Sequence, residues 1–325
     1  MKYNESKYKL VVNHVMDGIV SGELKKGSRL PSINEYRRMF NLSRDTVFAG
    51  IKELKARGTI SSAPGIGYFV DNVRFNMQQN IFLLFNEMNS FKQELYNAFV
   101  SGLDKEDKVD LQFHNYNRKV FETLLCEANG KYTTYVLMPG KFQGLKPLLS
   151  TLNGRVFLLD HYHPELRGLY AGVGQDFERD TYEALVQGRE QLSRYERIYM
   201  IQSEAKEPYE RFYGLQRFAQ EYGFACKYLN SLGGRKIAPG DLFLLPGDSD
   251  LVDVLKQAER QAFTPGKEFG IISYNDTKLK EILAGGITTL TTDFRKMGKT
   301  MAALIRRKDI ENIDNPCSLI VRKSI

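Results

Sequence analysis

Two rhythms of apolar residues divide this chain. Up to residue 70 they recur every three or four positions in short blocks, whereas from Asn80 onward they gather into continuous runs separated by amphipathic stretches. Tyr8, Val11, Val12, Val15 and Ile19 share one face of a predicted helix that Ser21-Gly22 stops. Leu24 to Pro31 reads as a turn, after which Ser32 caps a helix to Phe40 whose apolar members are Ile33, Tyr36, Met39 and Phe40. Asn41-Leu42 turns the chain again. Ser43 caps a third helix from Arg44 to about Arg57, with Val47, Ile51 and Leu54 facing inward. Thr59–Pro64 and Ile66–Val70 alternate as strands around Gly65.

Helix, turn, helix and glycine-tipped hairpin is the layout of a winged helix-turn-helix, which places its recognition helix in a DNA major groove. The outer stripe of the third helix carries Arg44, Phe48, Lys52 and Lys55, cations mixed with one aromatic, as a contact surface would. Charge agrees. Residues 1–72 hold 12 Lys and Arg against 7 Asp and Glu, so +5 of the net +7 sits in under a quarter of the chain. Clustered cations suit a phosphate backbone, although a small three-helix module can also serve as a protein adaptor.

The pattern Gly27-x-x-Leu30-Pro31-Ser32, Leu42-Ser43-Arg44-x-Thr46-Val47, Leu54-x-x-x-Gly58 and Gly65-x-Gly67-Tyr68-Phe69-Val70 resembles the GntR family of bacterial transcriptional regulators. The resemblance implies that Ser43, Arg44 and Thr46 touch phosphates or base edges from the start of the recognition helix, and that Gly65 is the wing glycine. Asn34 and Phe48 stand where members often carry arginines. With Ser32, Asp45 and Lys52 these residues form the candidate DNA-binding set on double-stranded operator DNA.

Asp71 to Gln79 is a polar joint, and we place a DNA-binding domain at 1–72, a linker at 73–79 and an effector domain at 80–325. In the effector domain Ile81–Phe85, Val136–Met138, Val156–Leu159, Ile198–Ile201, Leu242–Leu245 and Phe269–Ser273 read as strands buried on both faces, hence a parallel sheet covered by helices. Phe91–Leu103, Tyr182–Leu192, Tyr209–Tyr222 and Leu251–Gln261 supply the crossovers. Ligands of such sheets sit at the carboxyl ends of strands. There the chain offers Asn86, Glu87, Asn89 and Phe91, then Asp160 and His161, then Gly247, Asp248 and Ser249, then Tyr274, Asn275 and Asp276, polar groups and rings suited to a sugar.

Asn89-Ser90-Phe91, Val156–Asp160, Arg211-x-x-Gly214-Leu215, Pro246-Gly247-Asp248, Ser273-Tyr274-Asn275-Asp276, Leu290–Phe294 with Gly298, and Leu319–Ser324 occur in the order found in the lactose-repressor and periplasmic-binding-protein fold, which this region resembles. The fold class expected is therefore α/β, a winged helix-turn-helix followed by a two-subdomain, Rossmann-like effector domain. By the same likeness Arg211, Asp160, Asp248 and Asn275 hydrogen-bond an effector, Phe91 is a stacking wall, Thr292 lies near a hinge, and His161 joins the effector-binding set. Gly247 and Thr292 depart from the residues common at those positions.

Other classes lose ground. The chain lacks an apolar run of membrane-spanning length and its first residues lack a secretory core, which points to the cytoplasm and no membrane partner. Cys126, Cys226 and Cys317 are too far apart for a metal knuckle and read as reduced, buried thiols. His161-Tyr162-His163 reads as turn residues or a sugar contact, and no metal or other cofactor is expected. Nucleophile elbow, phosphate loop and dinucleotide fingerprint are all missing, so a carbohydrate enzyme with a DNA-binding head is the lesser alternative. The expectation is a homodimeric, non-enzymatic regulator under a small sugar effector, governing carbohydrate-utilisation genes. Pentose, hexose and deoxysugar such as fucose remain open.

Overall fold

A computed structural model describes residues 7–72, 79–161, 163–307 and 309–325. Most of the expected linker, and Tyr162, lie outside the described residues. The N-terminal module contains α1 (Lys9–Val20), α2 (Ile33–Phe40), α3 (Arg44–Ala56) and a hairpin of β1 (Ile60–Ala63) and β2 (Gly67–Val70). Ser32 starts α2 with a capping box, its hydroxyl accepting from Glu35 N at 3.3 Å while its own N donates to Glu35 Oε2 at 2.6 Å. Tyr36, Val47, Ile51 and Leu54 fill the core between the helices. The hairpin is antiparallel with Ile60 opposite Val70 and Ala63 opposite Gly67, as the alternation predicts.

Two six-stranded sheets follow. The first takes β3 (Asn80–Phe85), β4 (Lys108–Phe113), β5 (Thr134–Leu137), β6 (Arg155–His161), β7 (Ala171–Gln175) and β13 (Asn312–Asp314), in the order β13-β7-β6-β5-β3-β4 and parallel throughout. The second takes β8 (Arg197–Ile201), β9 (Ala225–Leu229), β10 (Asp241–Leu245), β11 (Gly270–Tyr274), β12 (Thr288–Thr292) and β14 (Cys317–Ile320), in the order β14-β12-β11-β10-β8-β9 with only β12–β14 antiparallel. Helices α4 (Ser90–Ser101), α5 (Arg118–Ala128) and α6 (Lys146–Leu149) belong to the first subdomain; α7 (Phe177–Gln187), α8 (Arg189–Leu192), α9 (Glu210–Tyr222), α10 (Asp248–Arg260) and α11 (Lys278–Ile282) belong to the second. The last helix, α12 (Phe294–Leu304), returns to pack on α4.

The chain thus crosses between subdomains three times, after β7, after β12 and between β13 and β14. Buried Asn315 ties the crossings together. Its Nδ2 donates to Thr292 Oγ1 at 2.7 Å and Asp293 O at 2.9 Å, and its N donates to Gly174 O at 2.8 Å.

All six expected strands are present, but six others escaped the apolar-run criterion. Edge strands β4 and β9 are only partly covered, β7 is rich in small residues because a Cβ on Gly172 would meet Leu158 O at 2.6 Å, and β12 buries threonines that are hydrogen-bonded. The helix expected at 182–192 starts five residues earlier, where Asp176 caps Phe177, and breaks at Gly188. Cys126 corrects the expectation of buried thiols: on α5 the inward positions are Phe121, Leu125 and Ala128, which turns Cys126 to solvent.

Candidate functional site

The first site is a face of the N-terminal module. Ser43 caps α3 by accepting from Thr46 N at 3.2 Å, and the two hydroxyls lie 2.7 Å apart, which fixes the first helical turn. Arg44, exposed at the first helical position, lines a groove of about 600 Å³ with Ser32, Asn34, Gly65, Arg29 and Tyr68. Gly65 sits at φ +73° at the wing tip, a conformation that favours glycine. Asp45 is exposed in the first turn of α3, where it complements the helix dipole. Phe48 and Lys52 lie one and two turns beyond Arg44 on the same exposed stripe. Lys55 turns aside, donating from Nζ to Ser62 Oγ at 2.9 Å and bracing the wing.

The second site lies between the two sheets. Phe91, Asp160, His161, Arg211 and Asn275, five of the expected effector residues, line one narrow cleft of about 70 Å³ with Asn86, Glu87, Lys92, Tyr116, Gln175, Lys206 and Glu207. Phe91 stacks on Phe294 with ring centroids 4.8 Å apart, giving an aromatic wall. Asp160 (φ +79°), Asn275 (φ +59°) and Tyr116 (φ +56°) all hold left-handed backbone conformations. Such strain gathers where the surroundings hold polar groups in a required direction. A wider vestibule of about 670 Å³, sharing Lys141, His161, Gln175 and Phe177 with the cleft, opens it to solvent.

Charges in the cleft are paired and crowded. Lys92 is buried, with Nζ donating to Asn86 Oδ1; burial lowers its pKa while Asp160, Glu87 and Glu207 pull the other way. Arg211 lies between the rings of Phe177 (4.9 Å) and Tyr274 (4.3 Å) and pairs with Glu207. Burial opposes its charge, yet Glu207, Tyr274 and Asp160 together more than compensate and its pKa is raised. Its Nε is buried without a hydrogen-bond partner among the described residues. Asp160 Oδ1 accepts from Gln175 Nε2 at 2.6 Å. Two lysines cross the cleft: Lys141 of the first subdomain donates to Ala205 O at 3.0 Å and to Glu207 O, and Lys206 of the second meets Glu87 at 3.1 Å. The two walls are therefore drawn together.

Residues 7–70 match the family described as bacterial regulatory proteins, gntR family. They form a gntR-family module. No curated protein matches the chain in sequence. The remainder has the fold of a LacI-family transcriptional regulator from Silicibacter pomeroyi, at 16% identity and TM-score 0.61 over 75% of this chain and 98% of that one. A periplasmic binding protein/LacI transcriptional regulator from Alkaliphilus metalliredigens complexed with D-xylulofuranose matches at 11% and 0.58 over 75% and 98%. A periplasmic-binding ribose operon repressor from Lactobacillus acidophilus matches at 14% and 0.60 over 75% and 97%. The chain is accordingly a DNA-binding transcription regulator, a gntR-family head joined to a body of LacI fold.

Two expected effector residues of the regulator, Asp248 and Thr292, are not among the residues that line the cleft. Asp248 opens α10 with its side chain exposed and pairs at 2.7 Å with Lys280, whose Nζ also donates to Tyr274 O at 2.6 Å, so it braces α11. Thr292 is buried at a crossing, donating to Pro316 O at 3.1 Å and accepting from Asn315, a hinge position rather than a cleft wall. Of the vestibule histidines, His163 is buried with Nε2 2.5 Å from Gly140 O, and His161 Nδ1 reaches the same oxygen at 3.0 Å. Lys92, Tyr116, Lys141, Gln175, Lys206 and Glu207 were missed by sequence reasoning. Lys92 adjoins Phe91 and Lys206-Glu207-Pro208 precedes a helix, a signal of sorts; Tyr116 follows edge strand β4, which the apolar pattern hid.

Proposed function

We propose that the regulator senses a small sugar in the cleft and controls carbohydrate-utilisation genes from the cytoplasm as a homodimer. The observation that carries this reading is the buried Nε of Arg211, a donor without a partner among the described residues, on a side chain that lines the same cleft as the Phe91–Phe294 wall and two left-handed polar residues, Asp160 and Asn275. A buried donor left unmade costs about 1–3 kcal/mol, and a sugar hydroxyl relieves it. In this reading Phe91 and Phe294 pack against the apolar face of the ring, Asp160, Asn275 and His161 take hydroxyls, and Ser43, Arg44 and Thr46 meet the operator.

Coupling follows from the crossings. A ligand touching both walls favours the closed arrangement that Lys141 and Lys206 already make, and a dimer passes that preference to the spacing of its two heads. Val252 on α10 and Leu279 and Ile282 on α11 are exposed by 43%, 65% and 74%, apolar side chains that a second copy would cover. Among the described residues no helix is long and apolar enough to cross a membrane.

A thermal-shift screen against a monosaccharide panel tests the reading, because a ligand at a hundredfold excess over Kd adds about 2.7 kcal/mol of apparent stability. One selective sugar is expected, and Arg211→Ala abolishes its shift. A panel without any selective response counts against the sugar assignment.

A further inference from the structure

Phe48 presents the largest apolar side chain on the exposed stripe of α3. It is 52% exposed, and among the described residues no ring stacks on it. A lone exposed aromatic is ordinary on a protein surface. Its placement is not, because Arg44 lies one turn before it and Lys52 one turn after, both exposed, on the helix whose first turn Ser43 fixes. The wing groove holding Arg44 flanks the same face. Cations on either side suit phosphates and guanine edges; a ring between them suits something apolar at the same depth.

We propose that Phe48 reads the 5-methyl group of a thymine in the operator. Within a major groove that methyl is the one apolar feature a base pair displays, and phenylalanine is among the side chains that contact it. A protein partner is a poorer fit, since the neighbours of Phe48 on this face are Arg44, Asp45 and Lys52. Wedging between base steps is a minor-groove device, while α3 is the major-groove element. Phe48 thus sets base preference through packing where a cation would have set it through hydrogen bonds. The inference rests on the DNA-binding reading of α3.

The test begins with in-vitro selection of duplexes by the full chain. Anisotropy at fixed salt then compares the selected duplex with copies in which single thymines become deoxyuridine, which removes only the methyl. Replacing the thymine that Phe48 reads is expected to weaken the parent about fourfold, the worth of one buried methyl group, and to leave Phe48→Ala unchanged. Phe48→Ala itself weakens the unmodified duplex by roughly tenfold with an unaltered melting temperature. If no deoxyuridine copy weakens the parent, or every copy that does so weakens the variant alike, Phe48 does not read a methyl. A selection that enriches no sequence overturns the reading of α3 itself, and the proposal with it.

Discussion

The exposed face around α3 and the wing, proposed to bind DNA, and the cleft between the subdomains, proposed to bind an effector, are built by opposite means. Every residue of the face falls between Arg29 and Tyr68, most are exposed, and local devices hold them: the Ser32 capping box, the Ser43 cap, the left-handed Gly65. Cleft residues run from Asn86 to Phe294, come from both subdomains, and are oriented by burial and by long-range bonds such as Gln175 to Asp160. A face held by local devices survives changes elsewhere in the chain. A cleft assembled from both subdomains across three crossings is the more easily disturbed, which is what the proposed effector control requires.

The contrast breaks most readily at Gly298. A Cβ there would meet Leu95 O at 2.4 Å and Phe99 N at 2.8 Å, so α12 and α4 touch backbone to backbone. Gly298→Val is expected to destabilise the effector domain by roughly 3 kcal/mol, and hydrogen exchange should show lost protection in α4 and α12 with α1–α3 unchanged. Equal loss in the head would mean that the two regions are not independent.

Arg44→Ala probes the other side. Operator binding should weaken by about 1–3 kcal/mol in a gel shift at fixed salt while ligand affinity is preserved, since Arg44 is exposed and far in sequence from the cleft. A smaller effect comes from Asp180, near the first crossing, whose neighbours are Arg179, Asp176 and, through Arg179, Asp314. Burial raises its carboxyl from 3.8 to about 6, although Arg179 acts against the rise. Between those values the folded state keeps a proton that the unfolded state releases, so stability falls as pH rises through the window. Asp180→Asn keeps an acceptor for Asp176 N and should remove that fall, gaining roughly 1–2 kcal/mol at neutral pH in urea unfolding. Parallel pH profiles for parent and variant would refute the assignment.

Least of all should follow from Lys206→Gln. Lys206 and Glu87 are each about a third exposed (32% and 28%), so their tie across the cleft is worth less than about 1 kcal/mol and should fade with salt. Calorimetry of sugar binding at low and high salt would show a shift of a few-fold at most. A larger one would make this tie, rather than the crossings, the main hold on closure.

The same contrast explains what could be read in the sequence. Ser32 and Ser43 mark helix starts because capping is a matter of neighbours, and all three helices and the wing follow within a residue or two. The fully covered strands β3, β5, β10 and β11 were legible because burial on both faces forces continuous apolar runs. Buried Thr288 and Thr289 in β12 satisfy their hydroxyls far along the chain, on the Arg322 backbone and on Asp276, and nothing local announces it. The placement of Asp248 outside the cleft lining was hidden for a related reason. The residue follows a strand as a cleft residue should, but its partner Lys280 lies on another helix. Lys141 and Lys206 gain their roles only when the two walls face each other, and local spacing carries no trace of that.

We propose control of the DNA-binding face by the cleft. Its most direct test is operator affinity of the full chain, by anisotropy at fixed salt, with and without the sugar selected by thermal shift, in the parent and in Arg211→Ala. The sugar should change the parent's affinity at least several-fold and leave the variant's unchanged. A sugar that binds the cleft of the parent yet leaves its operator affinity the same would contradict the claim.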